Sequence, residues 1–389
     1  MEIRKIKPEE HMEILQLRSI SYNSKKDFSD PEKVKQDYEA VRALFDENGK
    51  ACATTRIEPF TVRFNGHDVK MGGIGAVATL PQERNKGHVR RLFKYAFDEM
   101  RQEGQIFSYL FPFSFPYYRM FGYECNYDRQ KVSIPLDALK PLKAPGHAEL
   151  FEYDKHLDTL IDIYESYIQD KNLAVVRKKE DYKPLFDHDT YAELFSTYIW
   201  YDSKGQATAY IAYDSAPQGP NEMKVLEFAF KNYEGAKALL GFLSVFHPVF
   251  KTLKGDFPLD IDFSLIVPEI DRVERKVSPY GMNKIVDVEK VLKLLSFRAG
   301  FSFVIKVEDD SLDWNNDSFK VSFGAGKTLV ERTEEEADLS CDVRALTRFL
   351  IGYTSLEKEY EYGNLEIRDK KEDLFELFPN KKLFMTEGY

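Results

Sequence analysis

Residues 77–92 read VATLPQERNKGHVRRL, and this stretch joins a strand to a helix through a short polar loop. From Val89 the apolar residues recur at i, i+3, i+4, i+7, i+8 and i+11, the spacing of one helix face, up to Gly104. A helix N-terminus after such a loop offers unpaired N–H groups and the positive end of the helix dipole. The pattern therefore suits a pyrophosphate.

Basic residues and one glycine strengthen this interpretation. Gly87 permits close approach of the backbone to a ligand, and Lys86, Arg90 and Arg91 add positive charge. The alternative is an ordinary loop with a solvated basic face, and one glycine with a few cations favours that alternative when taken alone.

Composition limits the remaining function classes. The chain has 389 residues, 43% of them hydrophobic, which predicts two to four domains with ordinary cores. Its 65 acidic and 55 basic residues give a net charge of -10, which argues against binding to nucleic acid and favours cationic partners. Seven histidines without metal-binding spacing indicate no metal site.

The expected location is the cytoplasm. Cys52, Cys125 and Cys341 lie far apart and form no CxxC pair, so neither a disulfide framework nor a zinc site is indicated. The charged N-terminus predicts no signal peptide, and no apolar stretch approaches the roughly 18 residues of a membrane span.

The first 145 residues read as an α+β unit. A helix is predicted from Pro8 to about Ile20, followed by hairpins at 46–49 and at Asn65-Gly66. After the helix that begins at His88 come a strand (106–113), an aromatic loop and another strand (128–136). Residues 142–147 read as a linker.

A second unit repeats the first. DSKGQATA at 202–209 echoes DENGKACA at 46–53, and the strand, loop and helix at 224–246 parallel those at 70–97. The second loop, residues 231–235, keeps a glycine but lacks the basic residues, so this copy is predicted to bind no cofactor. From about Val286 the pattern changes to a third α+β domain. The predicted domains are 1–145, 146–283 and 284–389.

The motif at 77–92 resembles the acetyl-CoA-binding motif of the GCN5-related N-acetyltransferases (GNAT), Arg/Gln-x-x-Gly-x-Gly/Ala. It reads Arg84-x-x-Gly87-x-Val89 here, so the last small residue is missing. The Eis-type (enhanced intracellular survival) subfamily tolerates a larger residue there. The duplicated domain, a third domain similar to sterol carrier protein 2, and the segment YRMFGY at 118–123 match that subfamily.

The resemblance implies the residues that hold acetyl-CoA as co-substrate. Backbone groups of the strand end would meet the pantetheine arm, the loop would hold the pyrophosphate, and two residues before the aromatic loop would add contacts. The full set is Val77, Ala78, Thr79, Arg84, Asn85, Lys86, Gly87, His88, Val89, Arg90, Phe113 and Ser114.

The resemblance also implies two catalytic groups. Tyr118 would be the general acid, since a phenol with a pKa near 10 stays protonated at neutral pH; the alternative is that its ring only packs in an aromatic core. The terminal carboxylate of Tyr389 would be the general base. Asp27, Asp30 and Glu387 either form an acidic rim for a cationic substrate or are solvated surface charges.

The predicted function is acetyl-CoA-dependent N-acetylation of a primary amine on a small cationic acceptor. Aminoglycosides, polyamines and lysine side chains are the acceptors that the resemblance implies, as it implies a homo-oligomer, a hexamer. One alternative is a lipid-binding protein that uses the third domain and carries relic acetyltransferase domains. The other is an acyl- or aminoacyltransferase of the same fold with a different donor.

Overall fold

The computed structural model describes residues 1–25, 38–215, 221–324 and 326–385. The first unit alternates strands and helices, and the apolar face of its long central helix is buried against the sheet. Its elements are β1 (Glu2–Lys5), α1 (His11–Tyr22), β2 (Val41–Phe45), β3 (Ala51–Phe64), β4 (His67–Thr79), α2 (His88–Gln102), β5 (Gln105–Leu110), α3 (Phe115–Arg119) and β6 (Glu124–Pro135).

The second unit follows the same order with additional short elements. Its elements are β7 (Gly146–Leu150), α4 (Tyr153–Ile168), β8 (Lys171–Asn172), α5 (Lys183–Phe186), α6 (Thr190–Glu193), β9 (Phe195–Asp202), β10 (Ala207–Asp214), β11 (Glu222–Phe230), α7 (Tyr233–Leu243), β12 (Thr252–Pro258) and β13 (Glu274–Ile285).

The third unit packs helices on a separate five-stranded sheet of order β16-β15-β14-β17-β18. Its elements are α8 (Val288–Leu292), β14 (Ser302–Glu308), β15 (Asp317–Gly324), β16 (Lys327–Arg332), β17 (Leu339–Asp342), α9 (Val343–Ile351), α10 (Leu356–Glu361), β18 (Leu365–Ile367), α11 (Lys371–Leu377) and β19 (Lys382–Leu383).

The two echoing turns have the same hydrogen bonds. Asp46 Oδ1 accepts from the N–H groups two and four residues later, at 2.9 and 2.8 Å, and Asp202 Oδ1 does the same at 2.9 and 2.9 Å. Each turn then has a glycine of positive φ, 78° at Gly49 and 74° at Gly205. The predicted duplication is confirmed in the architecture.

Local differences from the sequence predictions are small. The first helix begins as a 3-10 turn at Pro8–Glu10 and continues to Tyr22. The predicted aromatic loop contains helix α3, which the pattern missed because five residues are too few to show a period. Pro116 lies in its first turn, where a proline costs no hydrogen bond.

The two duplicated units exchange their last strands. In the described part of the chain, the large sheet has twelve strands in the order β1-β2-β3-β4-β5-β13-β6-β12-β11-β10-β9-β7. β13, from the second unit, lies beside β5 of the first, while β6 of the first lies beside β12 of the second. β6 and β13 pair with each other from Glu274–Ser133 to Asn283–Glu124. One continuous sheet therefore joins the two units.

The third unit is joined to this sheet by its core and to the second unit by its tail. Ile285, Phe107 and Tyr127 of the large sheet share a buried apolar cluster with Phe303 and Leu346 of the third unit. The tail strand β19 pairs in parallel with β8. Among the described residues, every helix is too short or too polar to cross a membrane.

Candidate active site

A cleft opens where β4 and β5 diverge. The two strands run parallel, and residues Lys70–Gly73 of β4 pair with residues Gln105–Tyr109 of β5. β4 then continues along β3 to Thr79, whereas β5 ends at Leu110 beside β13. The edge of β4 that faces away from β3 therefore borders the cleft at residues 74–79.

A β-bulge sets the direction of the backbone groups at the cleft. Arg56 pairs with Gly75 and Thr54 with Ala78, so two residues of β4 oppose Thr55 alone. The bulge includes Ala76, whose φ is 48°.

Two residues of β4 present their backbone to the cleft. Leu80 N–H donates to Cys52 O at 3.0 Å, and in an antiparallel ladder the direction of these groups alternates. Ala78 therefore faces β3, and Val77 and Thr79 face the cleft. The predicted pantetheine contacts of Val77 and Thr79 suit this arrangement, whereas the backbone of Ala78 belongs to the ladder.

The end of α1 covers this edge. Tyr22 Oη donates to Val77 O at 2.8 Å, and Ser21 Oγ donates to Thr79 O at 3.0 Å. Arg84 Nη2 donates to Ser21 O at 3.1 Å, which ties the polar loop to the same helix end. Ser21 and Tyr22 were not predicted, because more than fifty residues separate them from their partners and no local pattern signals the contact.

The polar loop ends at a helix N-terminus without a side-chain cap. Asn85 and Gly87 have positive φ values of 63° and 76°, and Gly87 is the N-cap of α2 with no side chain bonded to the first turn. Lys86 and Arg90 are exposed there. A β-carbon at Gly87 would meet no atom within 4 Å, so the space in front of it is open. These are the properties of an anion-binding helix end.

Glu83 contacts two side chains of the loop, those of Lys86 and His88. Its carboxylate accepts from Lys86 Nζ at 3.0 Å and lies 3.1 Å from His88 Nε2. The contacts with His88 and then with Lys86 lower the pKa of Glu83. The His88 ring is buried, so its predicted role in holding a phosphate rests on its backbone.

Tyr118 lies in helix α3 at the side of the cleft. Its ring packs against Phe93 at 6.2 Å and Phe113 at 5.3 Å, in an apolar cluster that also includes Val77. Burial raises the pKa of Tyr118, with smaller contributions from Tyr22 and Tyr117, so its hydroxyl stays protonated over the physiological range. The ring packs in a core, as the alternative interpretation held, and the hydroxyl is a neutral donor.

Comparisons with protein families identify the duplicated units. Residues 2–125 and 173–288 each match an acetyltransferase (GNAT) domain family, and the two matches together span more than half of the chain. This chain belongs to the GNAT acetyltransferases. Residues 288–386 of this acetyltransferase match a sterol carrier protein domain, which confirms the predicted domain order.

Solved structures share this architecture over the whole chain. A GCN5-related N-acetyltransferase from Anabaena variabilis has a TM-score of 0.87 at 19% identity, covering 100% of both chains. A probable N-acyltransferase from Enterococcus faecalis has 0.86 at 21%, covering 98% of this chain and 99% of its own. Eis1 from Mycobacterium abscessus has 0.80 at 19%, covering 100% of both. The resemblance to the Eis type is confirmed in the fold. No curated protein sequence matches the chain.

The second acetyltransferase domain has a different loop. Its helix α7 is capped by Asn232, whose Oδ1 accepts from Gly235 N–H at 2.8 Å. The adjoining cavity of about 670 Å³ is lined by Asp158 and Asp162 as well as Lys231. A self-capped helix end beside carboxylates is a poor site for a phosphate. This geometry is a physical reason for expecting no cofactor in the second copy, which stays a prediction.

The chain beyond β19 enters the junction of the three domains. Phe384 N–H donates to Asn172 O at 3.1 Å, and Met385 O accepts from Arg129 Nη2 at 2.8 Å. Met385 is fully buried. The Arg129 guanidinium lies 3.5 Å from the centre of the Tyr280 ring. Tail residues up to Met385 are therefore held in place.

Most of the predicted residues lie on one stretch from Val77 through Arg90, and Val77 and Val89 of this stretch pack against the apolar cluster that contains Tyr118. Phe113 is 74% exposed and packs on Tyr117 and Tyr118, and Ser114 is the N-cap residue of helix α3. Tyr389, Asp27, Asp30 and Glu387 lie outside the described residues. Within the described ranges, no three His, Cys, Asp or Glu side chains are grouped to hold a metal ion.

Proposed function

We propose that this acetyltransferase transfers the acetyl group of acetyl-CoA to a primary amine of a small cationic acceptor. The observation that carries the proposal is the uncapped N-terminus of α2 at a cleft that Tyr118 borders. The loop from Arg84 to Arg90 would hold the pyrophosphate. The backbone N–H groups of Val77 and Thr79, whose carbonyls already accept from Tyr22 and Ser21, would hold the pantetheine arm. The family resemblance supports both roles.

Transfer requires two proton movements. The acceptor arrives as an ammonium with a pKa near 10 and loses a proton before its nitrogen forms the new C–N bond. As the C–S bond breaks, Tyr118 donates its proton to the departing thiolate. We propose the α-carboxylate of Tyr389 as the group that takes the ammonium proton, directly or through a water.

The described tail supports the second assignment. Met385 is anchored by Arg129, whose guanidinium packs on Tyr280, and the Tyr280 ring lies 4.7 Å from that of Phe111. Phe111 is two residues before Phe113. Four extended residues span about 13–14 Å at most, which limits how far from Met385 the carboxylate of Tyr389 can act.

The acceptor class and the assembly are proposals of the same kind. The net charge of -10 attracts cationic acceptors such as aminoglycosides, polyamines or lysine side chains. We further propose a cytoplasmic homo-oligomer, a hexamer as the resemblance implies.

Calorimetric titration with acetyl-CoA tests the phosphate site. Gly87→Ala is expected to weaken acetyl-CoA binding about tenfold, because the new methyl group enters the open space at the helix end where a phosphate would lie. Gly205→Ala is the matched control, since φ is 74° there, the space is also open and the turn lies in the second copy. Equal affinities of the two variants would contradict the site.

Extension of the chain tests the proposed base. One glycine appended after Tyr389 moves the carboxylate away and is expected to lower the acetylation rate at saturating substrates about a hundredfold, the effect of losing a general base. Tyr389→Phe keeps the carboxylate in place and should retain most of the rate. Full activity of the extended chain would exclude the terminal carboxylate.

A further inference from the structure

A fully buried ion pair lies behind the helix that carries Tyr118. Lys284, at the end of the exchanged strand β13, contacts Asp309 of the third domain at 2.8 and 3.0 Å, and neither side chain is exposed. Ser311 Oγ accepts from Lys284 Nζ at 2.8 Å and lies 2.6 Å from Asp309 Oδ1. Asn315 Nδ2 also donates to Asp309 Oδ2 at 3.0 Å, so the four side chains form one buried polar cluster.

The cluster reaches the segment that follows α3. The single proton of Ser311 Oγ is directed at Asp309 Oδ1 at 2.6 Å and makes a longer, shared contact with Phe121 O at 3.2 Å. Phe121 N–H in turn donates to Tyr118 O at 3.0 Å, and Gly122 N–H donates to Arg119 O at 3.0 Å. Two contacts, from Ser311 Oγ to Phe121 O and from Phe121 N–H to Tyr118 O, therefore connect Ser311 to the residue proposed as the acid.

Gly122 shows how closely the cluster packs. Its φ is 78°, and a β-carbon there would collide with Lys284 Nζ and lie 3.2 Å from Ser311 Oγ. The positive φ favours glycine at this position of the segment YRMFGY, and Lys284 of β13 and Ser311 of the third domain fill the space beside it.

A second chain of charges ties α3 to the same domain. Arg119 donates to Glu124 at 2.7 and 2.8 Å, and Arg348 of α9 lies 3.4 Å from the same carboxylate. Arg348 also donates to Glu359 at 2.6 and 2.7 Å. Because α3 has only five residues, its own hydrogen bonds cannot hold it, and these two chains do so.

We propose that the sterol carrier protein domain fixes the position of the Tyr118 hydroxyl, with Ser311 as the positioning residue in the contact to Phe121. The inference rests on the proposed role of Tyr118 as the acid. The third domain then contributes to the proton transfer from Tyr118 to the departing thiolate. This role is separate from the proposed role of the Tyr389 carboxylate as the base. A hydroxyl displaced by about 1 Å loses much of its catalytic effect.

The test is a double-mutant cycle between Ser311→Ala and Tyr118→Phe. Ser311→Ala should lower kcat about tenfold and leave the KM for acetyl-CoA unchanged, whereas in the Tyr118→Phe background it should have no further effect on kcat. Ser311→Thr keeps the hydroxyl and should retain kcat.

Ser264→Ala is the matched control. Ser264 makes the same local contacts with Asp262 as Ser311 makes with Asp309, with Oγ at 2.7 Å and N–H at 2.9 Å, but it lies in the second domain. Its kcat should stay unchanged.

Three results would overturn the inference. An unchanged kcat of Ser311→Ala, or an equal loss in both backgrounds, would show that Ser311 does not act through Tyr118. Full activity of Tyr118→Phe would remove the acid assignment itself and the inference with it. The first two results leave the proposed function standing, so the failures are distinguishable.

Discussion

Tyr118→Phe is expected to lower kcat about a hundredfold or more while acetyl-CoA binding changes little. The substitution removes one hydroxyl and leaves the ring in its cluster with Phe93 and Phe113. The thiolate then departs without a proton donor, and general acid catalysis contributes about 10²- to 10⁴-fold. Release of free thiol from acetyl-CoA in the presence of polyamines or aminoglycosides measures the rate.

Tyr117→Phe is the control for this prediction. Tyr117 is the neighbouring phenol, its ring lies 5.4 Å from that of Tyr118, and burial raises its pKa as well. Its loss should change kcat only a few-fold. If Tyr117→Phe abolishes activity and Tyr118→Phe does not, then Tyr117 is the acid, and the assignment of this role to the first residue of YRMFGY is wrong.

Lys284→Ala is expected to destabilise the fold by about 3–5 kcal/mol, because it leaves a buried carboxylate without its counter-charge. Burial alone would raise the pKa of Asp309, but the contact with Lys284 holds it below its ordinary value. Without the ammonium of Lys284, the effect of burial dominates and the pKa of Asp309 rises. Urea unfolding followed by tryptophan fluorescence measures the loss, since Trp314 lies in the same domain and donates to Val286 O at 2.8 Å.

Two variants define the meaning of this result. Lys320→Ala removes a lysine of an exposed ion pair in the same domain, with Glu335 at 2.6 Å, and should leave the free energy of unfolding nearly unchanged. The double variant Lys284→Met with Asp309→Leu removes both charges and should recover most of the stability. A Lys284→Ala protein as stable as the wild type would show that the pair is not buried in solution.

Much of the secondary structure could be predicted because its signals are local. The period of α2, the turn at Asn65-Gly66 and the duplicated Asp-x-x-Gly turns are each contained in a few neighbouring residues. Helix α3 was not predicted, because it is shorter than two turns and shows no period. The exchange of β6 and β13 was not predicted either, since both strands have ordinary patterns and nothing local states which neighbour each one takes.

The candidate site divides in the same way. The loop from Arg84 to Arg90 was predicted because phosphate binding at a helix end requires a glycine, cations and free N–H groups within a few residues. The hydrogen bonds from the hydroxyls of Ser21 and Tyr22 to the backbone of β4 were not predicted, because a contact between distant segments has no sequence period. The role of Tyr389 came from the family resemblance and stays a prediction.

The sequence by itself determined the duplicated α+β units, the change to a third domain and the loop with its helix N-terminus. Periodicity, turn chemistry and motif spacing all act over short distances along the chain. Only the tertiary structure decided how the domains are joined: the exchanged strands form one sheet, Lys284 and Asp309 meet behind α3, and Arg129 holds the tail. These contacts depend on which buried polar groups find partners, and burial exists only after the chain has folded.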